Sequence, residues 1–222
     1  MEPTRSSRSR ATMEFRRFRS QVLKSAAGYI SRAVIGMVAW GCGRASAYGI
    51  PLVSLDDAKD AINEIFFAKV TLALGLIDKY DHRRLGRMRR DLSAVWLMRA
   101  GGAYFEVSTR RCVLSWQNIV AGDARSIAMT LVHEAAHARI YRRGVMKTPR
   151  ATAARHEAAA VRQQIAFATL LPDSESLLKY YSTVLQTPWW TPEQMREREL
   201  EQLRAYKISD WIVRRTEPRF GR

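Results

Sequence analysis

The chain has 222 residues, 37 lysines and arginines against 21 aspartates and glutamates, and a formal net charge of +16. Hydrophobic residues make up 47% of it, which is typical of globular domains and excludes wholesale disorder and collagen-like repeats. The two cysteines, Cys42 and Cys112, are too few for a disulfide framework or a cysteine-rich zinc module.

The N-terminal residues 1–24 carry seven basic side chains against two acidic ones, which predicts a basic, disordered tail. A second basic cluster occupies residues 82–90. Such clusters can bind nucleic acid or an anionic lipid surface. No zinc finger or aromatic nucleic-acid motif accompanies the charge, so a solvated helix face is favoured over nucleic-acid binding. An anionic membrane surface stays open as a partner of the N-terminus.

Residues 25–48 are mostly apolar, but their uncharged stretch, residues 33–43, is shorter than the about 20 residues that cross a bilayer. This stretch has the length of a signal-peptide core, and Ala45-Ser46-Ala47 forms a small-x-small cleavage pattern. We expect a signal sequence, a membrane anchor or a helix docked on the domain, which would span residues 49–222. The first two imply export or anchoring, and the third a cytoplasmic location.

The next part of the chain predicts two helices. Ser54 stands ahead of Asp56 and Asp57, which is typical of a helix start, with a capping hydroxyl and acids near the positive end of the dipole. Apolar side chains then recur at helical spacing over residues 62–74. A second helix is expected over residues 83–98.

The following pattern predicts a hairpin and then further helices. Residues 103–107 and 111–116 are short β-prone runs separated by a polar turn. Asp123 is the expected N-cap of a long helix that ends near Arg142. Other helices are expected over residues 151–171 and from Thr191 onward. The fold class is therefore α+β, mostly helical, with a small sheet or hairpin before the long helix.

The long helix contains a His-Glu-x-x-His motif, His133-Glu134-Ala135-Ala136-His137. Positions i and i+4 lie on one face of a helix, so both imidazoles can reach one metal ion. A catalytic zinc site takes three protein ligands and a water, and Glu134 is placed to take a proton from that water. The small apolar neighbours Ala135 and Ala136 indicate a buried helix rather than an exposed polar stripe. The motif predicts one zinc ion per chain.

The third ligand is expected on the following helix. Glu157 lies 20 residues after His137, where a carboxylate on a helix packed against the first would complete a His₂Glu site. His156 is the alternative. Because adjacent helical residues point about 100° apart, only one of the two can face the metal, and the spacing favours Glu157.

These residues resemble the gluzincin class of zinc metallopeptidases, which carries His133-Glu134-x-x-His137 and then a glutamate at the spacing of Glu157. The later helix is similar to that of the ImmA/IrrE-type peptidases, with Glu157-Ala158 and the run from Phe167 to Pro172. Residues 131–139 are also similar to uncharacterised bacterial proteins with such motifs.

The resemblance covers residues 103–172 and implies a minimal zincin-like fold, bound zinc, Glu134 as general base and Glu157 as third ligand. The acid that this class carries four residues after the ligand glutamate is Val161 here, so support for a zinc-bound histidine must come from elsewhere. The resemblance also implies that the strand over residues 111–116 forms the cleft edge that pairs with an extended substrate.

Peptide hydrolysis also needs a hydrogen-bond donor for the developing oxyanion. Candidates by residue type are Tyr180 and Tyr181, followed by Tyr141 and Arg162. The sequence thus predicts zinc-dependent hydrolysis of a peptide or protein substrate. Two alternatives stay open: a basic protein that binds nucleic acid or a membrane surface with an inert motif, and a zinc-binding domain without catalysis.

Overall fold

The computed structural model describes residues 42–57, 61–98, 102–144, 151–187, 190–191 and 194, and the expectations for residues 1–41 lie outside them. Within this described part, five helices accompany a five-stranded mixed sheet, which confirms the α+β fold class. The strands are β1 (Cys42–Ala47), β2 (Ile50–Asp57), β3 (Ala94–Met98), β4 (Tyr104–Glu106) and β5 (Arg111–Ser115). The helices are α1 (Ala61–Asp91), α2 (Trp116–Ala121), α3 (Ala124–Arg142), α4 (Ala151–Ala168) and α5 (Glu175–Gln186).

The strand order in the sheet is β1-β2-β3-β5-β4. β1 and β2 form an antiparallel hairpin, and its turn residues Tyr48 and Gly49 both have positive φ, 52° and 74°, as a type I′ turn requires. β2 is parallel to β3, β3 is parallel to β5, and β4 returns antiparallel to β5. The hairpin expected over residues 103–107 and 111–116 is therefore confirmed, as one edge of a larger sheet.

The helix expected to start at Ser54 starts later. β2 runs on to Asp57 with Ser54 fully buried, and α1 begins at Ala61. The prediction is wrong because residues 52–54 pair in register with β3, and this pairing outweighs the capping pattern of a serine and two acids. The helical spacing expected over residues 62–74 is confirmed within α1.

The second expected helix, residues 83–98, is half helix and half strand. α1 continues to Asp91 through a kink at Asp81 (φ −148°, ψ 67°), and Ala94–Met98 forms β3. β3 has a parallel partner on each side, so it lies inside the sheet and is an almost unbroken buried apolar run. Such a run lacks the alternation that identifies a strand, which explains the wrong prediction.

The sheet reaches into the apolar segment expected over residues 25–48. Cys42–Ala47 is the edge strand β1, so Ala45-Ser46-Ala47 lies in a strand paired with β2. The described sheet therefore starts N-terminal of the boundary expected at residue 49. Among the helices that the structure describes, none combines the length and hydropathy of a membrane span.

Helix α3 lies at the centre of the fold. It packs against α1 and α4 and also contacts β4 and β5. Asp123 caps it as expected, because its carboxylate accepts the backbone N–H of Ser126 at 2.7 Å. Buried side chains of α3, among them Leu131 and Val132, join one core with the sheet residues Leu97 and Leu114. This burial holds the backbone of α3, and the side chains that it presents, in a fixed position.

The C-terminal part was predicted less completely. α4 ends at Ala168, close to the expected end before Pro172, but α5 was not expected. Thr191 and Gln194 exchange the two hydrogen bonds of a capping box, at 3.3 and 3.4 Å, as expected for a last helix. The rest of that helix lies outside the described residues.

Candidate metal centre

The His-Glu-x-x-His motif lies in the middle of α3, where the helix is most deeply buried. His133 and His137 are one turn apart and present their rings on the same side, with centroids 4.8 Å apart. Their Nε2 atoms are separated by 3.1 Å. The sequence expectation that both imidazoles converge on one point is therefore met.

Helix α4 brings Glu157 to the same point. Its Oε2 lies 3.2 Å from Nε2 of His133, and its Oε1 lies 3.3 Å from Nε2 of His137. The carboxylate thus spans both imidazoles. In the described part of the chain, these three residues form the group that could hold a metal ion.

The spacing of these donor atoms fits a single small cation. Atoms bound tetrahedrally to one zinc ion at 2.0–2.1 Å lie about 3.3 Å from one another. The three contacts among His133, His137 and Glu157 measure 3.1, 3.2 and 3.3 Å. Two imidazole nitrogens and a carboxylate are also the donor types of catalytic zinc sites.

Gln164 supports His133, and this contact is not expected from the sequence. Its Nε2 donates to the carbonyl of Met129 at 3.0 Å, so its Oε1 is left as an acceptor, 3.1 Å from Nδ1 of His133. His133 must therefore carry its proton on Nδ1 and keep the lone pair of Nε2 for the metal position. This is the support that Val161, a buried apolar residue, does not give.

The sequence holds one signal for this role of Gln164, which is its position two turns after Glu157. Gln164 lies seven residues after Glu157, on the same face of α4, and it is only 5% exposed. Amides are frequent on helix surfaces, so the spacing alone did not distinguish Gln164 from a solvated side chain. The burial of Gln164 and its two hydrogen bonds distinguish it from a solvated side chain.

Contacts within the group shift the pKa values of Glu157 and His133 in opposite directions. Burial alone would raise the pKa of Glu157, but hydrogen bonds and charge from His133 and His137 outweigh it and hold the pKa at about 2. Burial alone would lower the pKa of His133, but its hydrogen bond to Glu157 and the charge of Glu134 raise it overall. Glu157 is therefore a carboxylate at any physiological pH, as a metal ligand must be.

Glu134 follows His133 in α3 and is only 5% exposed. Its carboxylate accepts the backbone N–H of Phe105, in strand β4. Burial, reinforced by the charge of Glu157, raises the pKa of Glu134 above its ordinary value, although His133 and His137 act in the opposite direction. A raised carboxyl pKa suits a group that takes and returns a proton near neutral pH.

His156 lies next to Glu157 but is not part of the donor group. It is partly exposed, and burial and then the charge of His137 lower its pKa. The geometry therefore favours Glu157 over His156 as the third donor, in line with the spacing argument.

The tyrosines named as oxyanion donors have other contacts. Tyr180 is 62% exposed and makes an edge contact with Tyr181, with ring centroids 5.0 Å apart. Tyr181 packs on the core, and burial raises its pKa to about 12. Tyr141 packs against Phe105 at 6.1 Å between centroids. The remaining candidate, Arg162, is exposed on α4.

The strand expected to form the cleft edge, β5 (Arg111–Ser115), lies inside the sheet. It pairs with β3 on one side and β4 on the other, so that expectation is wrong. Of the two edge strands of the described sheet, β1 and β4, it is β4 that supplies the amide that binds Glu134. The sequence could not separate the two strands of the hairpin, because the parallel pairing of β5 with β3 is a long-range contact.

No family model matches the chain, and neither a curated protein nor a solved structure does. The resemblance to gluzincins therefore rests on the motif residues, and the structure adds the geometry that relates them.

Proposed function

We propose that the protein is a zinc-dependent peptide hydrolase. The observation that carries the proposal is the convergence of His133, His137 and Glu157 at 3.1–3.3 Å, with an adjacent buried carboxylate on the same helix. A site that only binds a metal ion would already explain the convergence of His133, His137 and Glu157. The position of Glu134 favours catalysis over storage of the ion, because a structural site needs no proton acceptor.

His133, His137 and Glu157 would hold the ion. When bound there, a zinc ion would lower the pKa of a water molecule toward neutrality and polarise a carbonyl group. Glu134 takes the proton of the attacking water and delivers it to the leaving amine. The backbone N–H of Phe105 holds the Glu134 carboxylate in place for this transfer. Gln164 keeps the ring of His133 in one tautomer and one orientation.

An extended peptide is the substrate class that the surroundings favour. β4 is an edge strand in the described sheet, and an edge strand is where an extended peptide can add as a further strand. Because Phe105 of β4 binds Glu134, a peptide paired along β4 would run beside the proposed general base. Main-chain hydrogen bonds would then fix the register of the scissile bond.

Hydrolysis of a mixed peptide library, read by mass spectrometry, tests the proposal. Glutamine at position 134 keeps the side-chain shape but cannot accept the proton. We expect Glu134→Gln to retain zinc and to lose about 10²–10⁴-fold in rate. Glu175→Gln, an exposed residue at the start of α5, is the matched control and should retain full activity.

Each outcome separates the alternatives. Equal cleavage by wild type and Glu134→Gln would contradict the role of Glu134. Stoichiometric zinc without cleavage of any peptide would favour a zinc-binding domain without catalysis. Absence of zinc and of cleavage would favour the inert motif.

A further inference from the structure

A second concave site lies on another face of α3. It is a cleft of about 310 Å³ between α1, α3 and α4. Four arginines line it: Arg84 and Arg87 from α1, Arg139 from α3 and Arg143 just after α3. The basic cluster that the sequence shows at residues 82–90 is therefore not only a solvated helix face.

The cleft carries an excess of positive charge. Asp81 pairs with Arg84 at 2.8 Å and with Arg87 at 3.9 Å, and Arg142 pairs with the lining carboxylate, Asp91, at 2.8 Å. Among the residues that the structure describes, no carboxylate lies within ion-pair distance of Arg139 or Arg143.

The pKa of Arg139 reports the same crowding of charge. Burial has the largest effect and lowers the pKa, the charges of Arg143 and Arg87 lower it further, and the charge of Asp91 opposes them. A group of guanidinium ions that repel one another in a confined space is stabilised by an anion.

The shape of the cleft limits the size of that anion. The apolar part of the lining, here called the floor, is buried and includes Met88, Val132 and Ala136. A volume of about 310 Å³ is at the lower end of small-molecule sites. A nucleic acid would instead need an extended groove or a flat basic surface for successive phosphates.

We propose that this cleft binds a phosphate group carried by a small molecule, with Arg139, Arg143 and Arg87 as its ligands. The planar guanidinium fork matches phosphate oxygens two at a time, and the apolar floor accommodates the rest of the molecule. The site is separate from the metal centre, because its α3 residues Val132, Ala136 and Arg139 share one face of the helix, about 100° from the face of His133 and His137.

Calorimetric titration of the full chain with inorganic pyrophosphate tests the proposal, with chloride used to keep the ionic strength constant. We expect wild type to bind, and Arg139→Gln to weaken binding about tenfold or more, because a charge-assisted hydrogen bond is lost. Arg143→Gln, at the exposed end of α3, is a second variant with less risk to folding. Arg83→Gln is the matched control, because Arg83 is exposed on α1 and does not line the cleft.

Two further arms identify the source of the phosphate and the site. The same titration with phosphatidylcholine vesicles, with and without phosphatidate, asks whether a lipid headgroup is bound. Binding of either pyrophosphate or phosphatidate that is lost in Arg139→Gln or Arg143→Gln, and kept in Arg83→Gln, supports the proposal. Titration in the presence of a metal chelator asks whether the anion binds at the metal centre instead.

Four results would overturn it: no binding of either probe, equal weakening by Arg83→Gln, binding unaffected by both cleft variants, or binding that disappears with the chelator. Tight binding of a single-stranded oligonucleotide that pyrophosphate does not displace would also overturn it, in favour of a nucleic-acid surface.

Discussion

Helix α3 carries the candidate metal centre on one face and the arginine cleft on another, and the two sites gather opposite kinds of atoms. His133, His137 and Glu157 bring metal-donor atoms together within 3.3 Å. Arg139 and its neighbours bring N–H donors together around a cleft. The donor atoms of the first site suit a cation, and the like charges of the second repel one another until an anion binds. The chemical type of the side-chain atoms that a site brings together therefore indicates the class of ligand that it binds.

The largest expected effect is on the metal face. Glu157→Gln keeps the size of the side chain but replaces a charged donor, so we expect zinc affinity to fall by about 100-fold or more. His156→Ala, at the neighbouring partly exposed position, should leave affinity unchanged. Competition with a chromophoric chelator measures both. Retained affinity in Glu157→Gln, with loss in His156→Ala, would reverse the assignment of the third donor.

The next largest effect on zinc affinity is expected at Gln164, which orients His133 without reaching the metal position itself. Gln164→Met removes the acceptor for Nδ1 of His133 and the side-chain donor to the carbonyl of Met129. We expect zinc affinity to fall about 10–100-fold and stability by about 1–3 kcal/mol. Gln186→Met, at an exposed position at the end of α5, is the control for the substitution itself. Equal zinc affinity in Gln164→Met and wild type would show that Gln164 does not orient His133.

Both faces depend on where α3 begins, and Asp123 defines that point. Asp123→Ala should cost about 1 kcal/mol at neutral pH in urea unfolding, and Asp123→Asn should cost less because asparagine also caps. Hydrogen bonds from Ser126 lower the pKa of Asp123. The stabilisation from ionised Asp123 is therefore present above the ordinary carboxyl pKa and is lost as pH falls through the folded value. A cost of Asp123→Ala that grows at acidic pH would contradict this.

The smallest effect concerns the side of α3 that faces the sheet. Cys112 is fully buried behind Glu134, and burial, with a smaller effect of the Glu134 charge, raises the pKa of its thiol well above the ordinary value. We expect no alkylation of Cys112 by iodoacetamide in the native protein and rapid alkylation after unfolding, measured in a Cys42→Ser background. Native reactivity at the unfolded rate would mean that this side of the helix opens readily.

The local parts of this architecture could be predicted from sequence. The i, i+4 spacing of His133 and His137 and the cap at Asp123 depend on neighbours within one or two turns, and both are confirmed. β3 could not be recognised, because its continuous apolar run is decided by parallel partners on both sides. Gln164 and the cleft arginines could not be assigned either, because their roles depend on which helices pack together.

The central claim is that His133, His137 and Glu157 bind one zinc ion, and elemental analysis of untagged protein tests it most directly. Wild type, His137→Ala and the matched control His156→Ala are compared after zinc is resupplied, with circular dichroism to check that each is folded. The account predicts one zinc per chain in wild type and in His156→Ala, and none in folded His137→Ala. Folded wild type without zinc, or folded His137→Ala with a full equivalent, would contradict it.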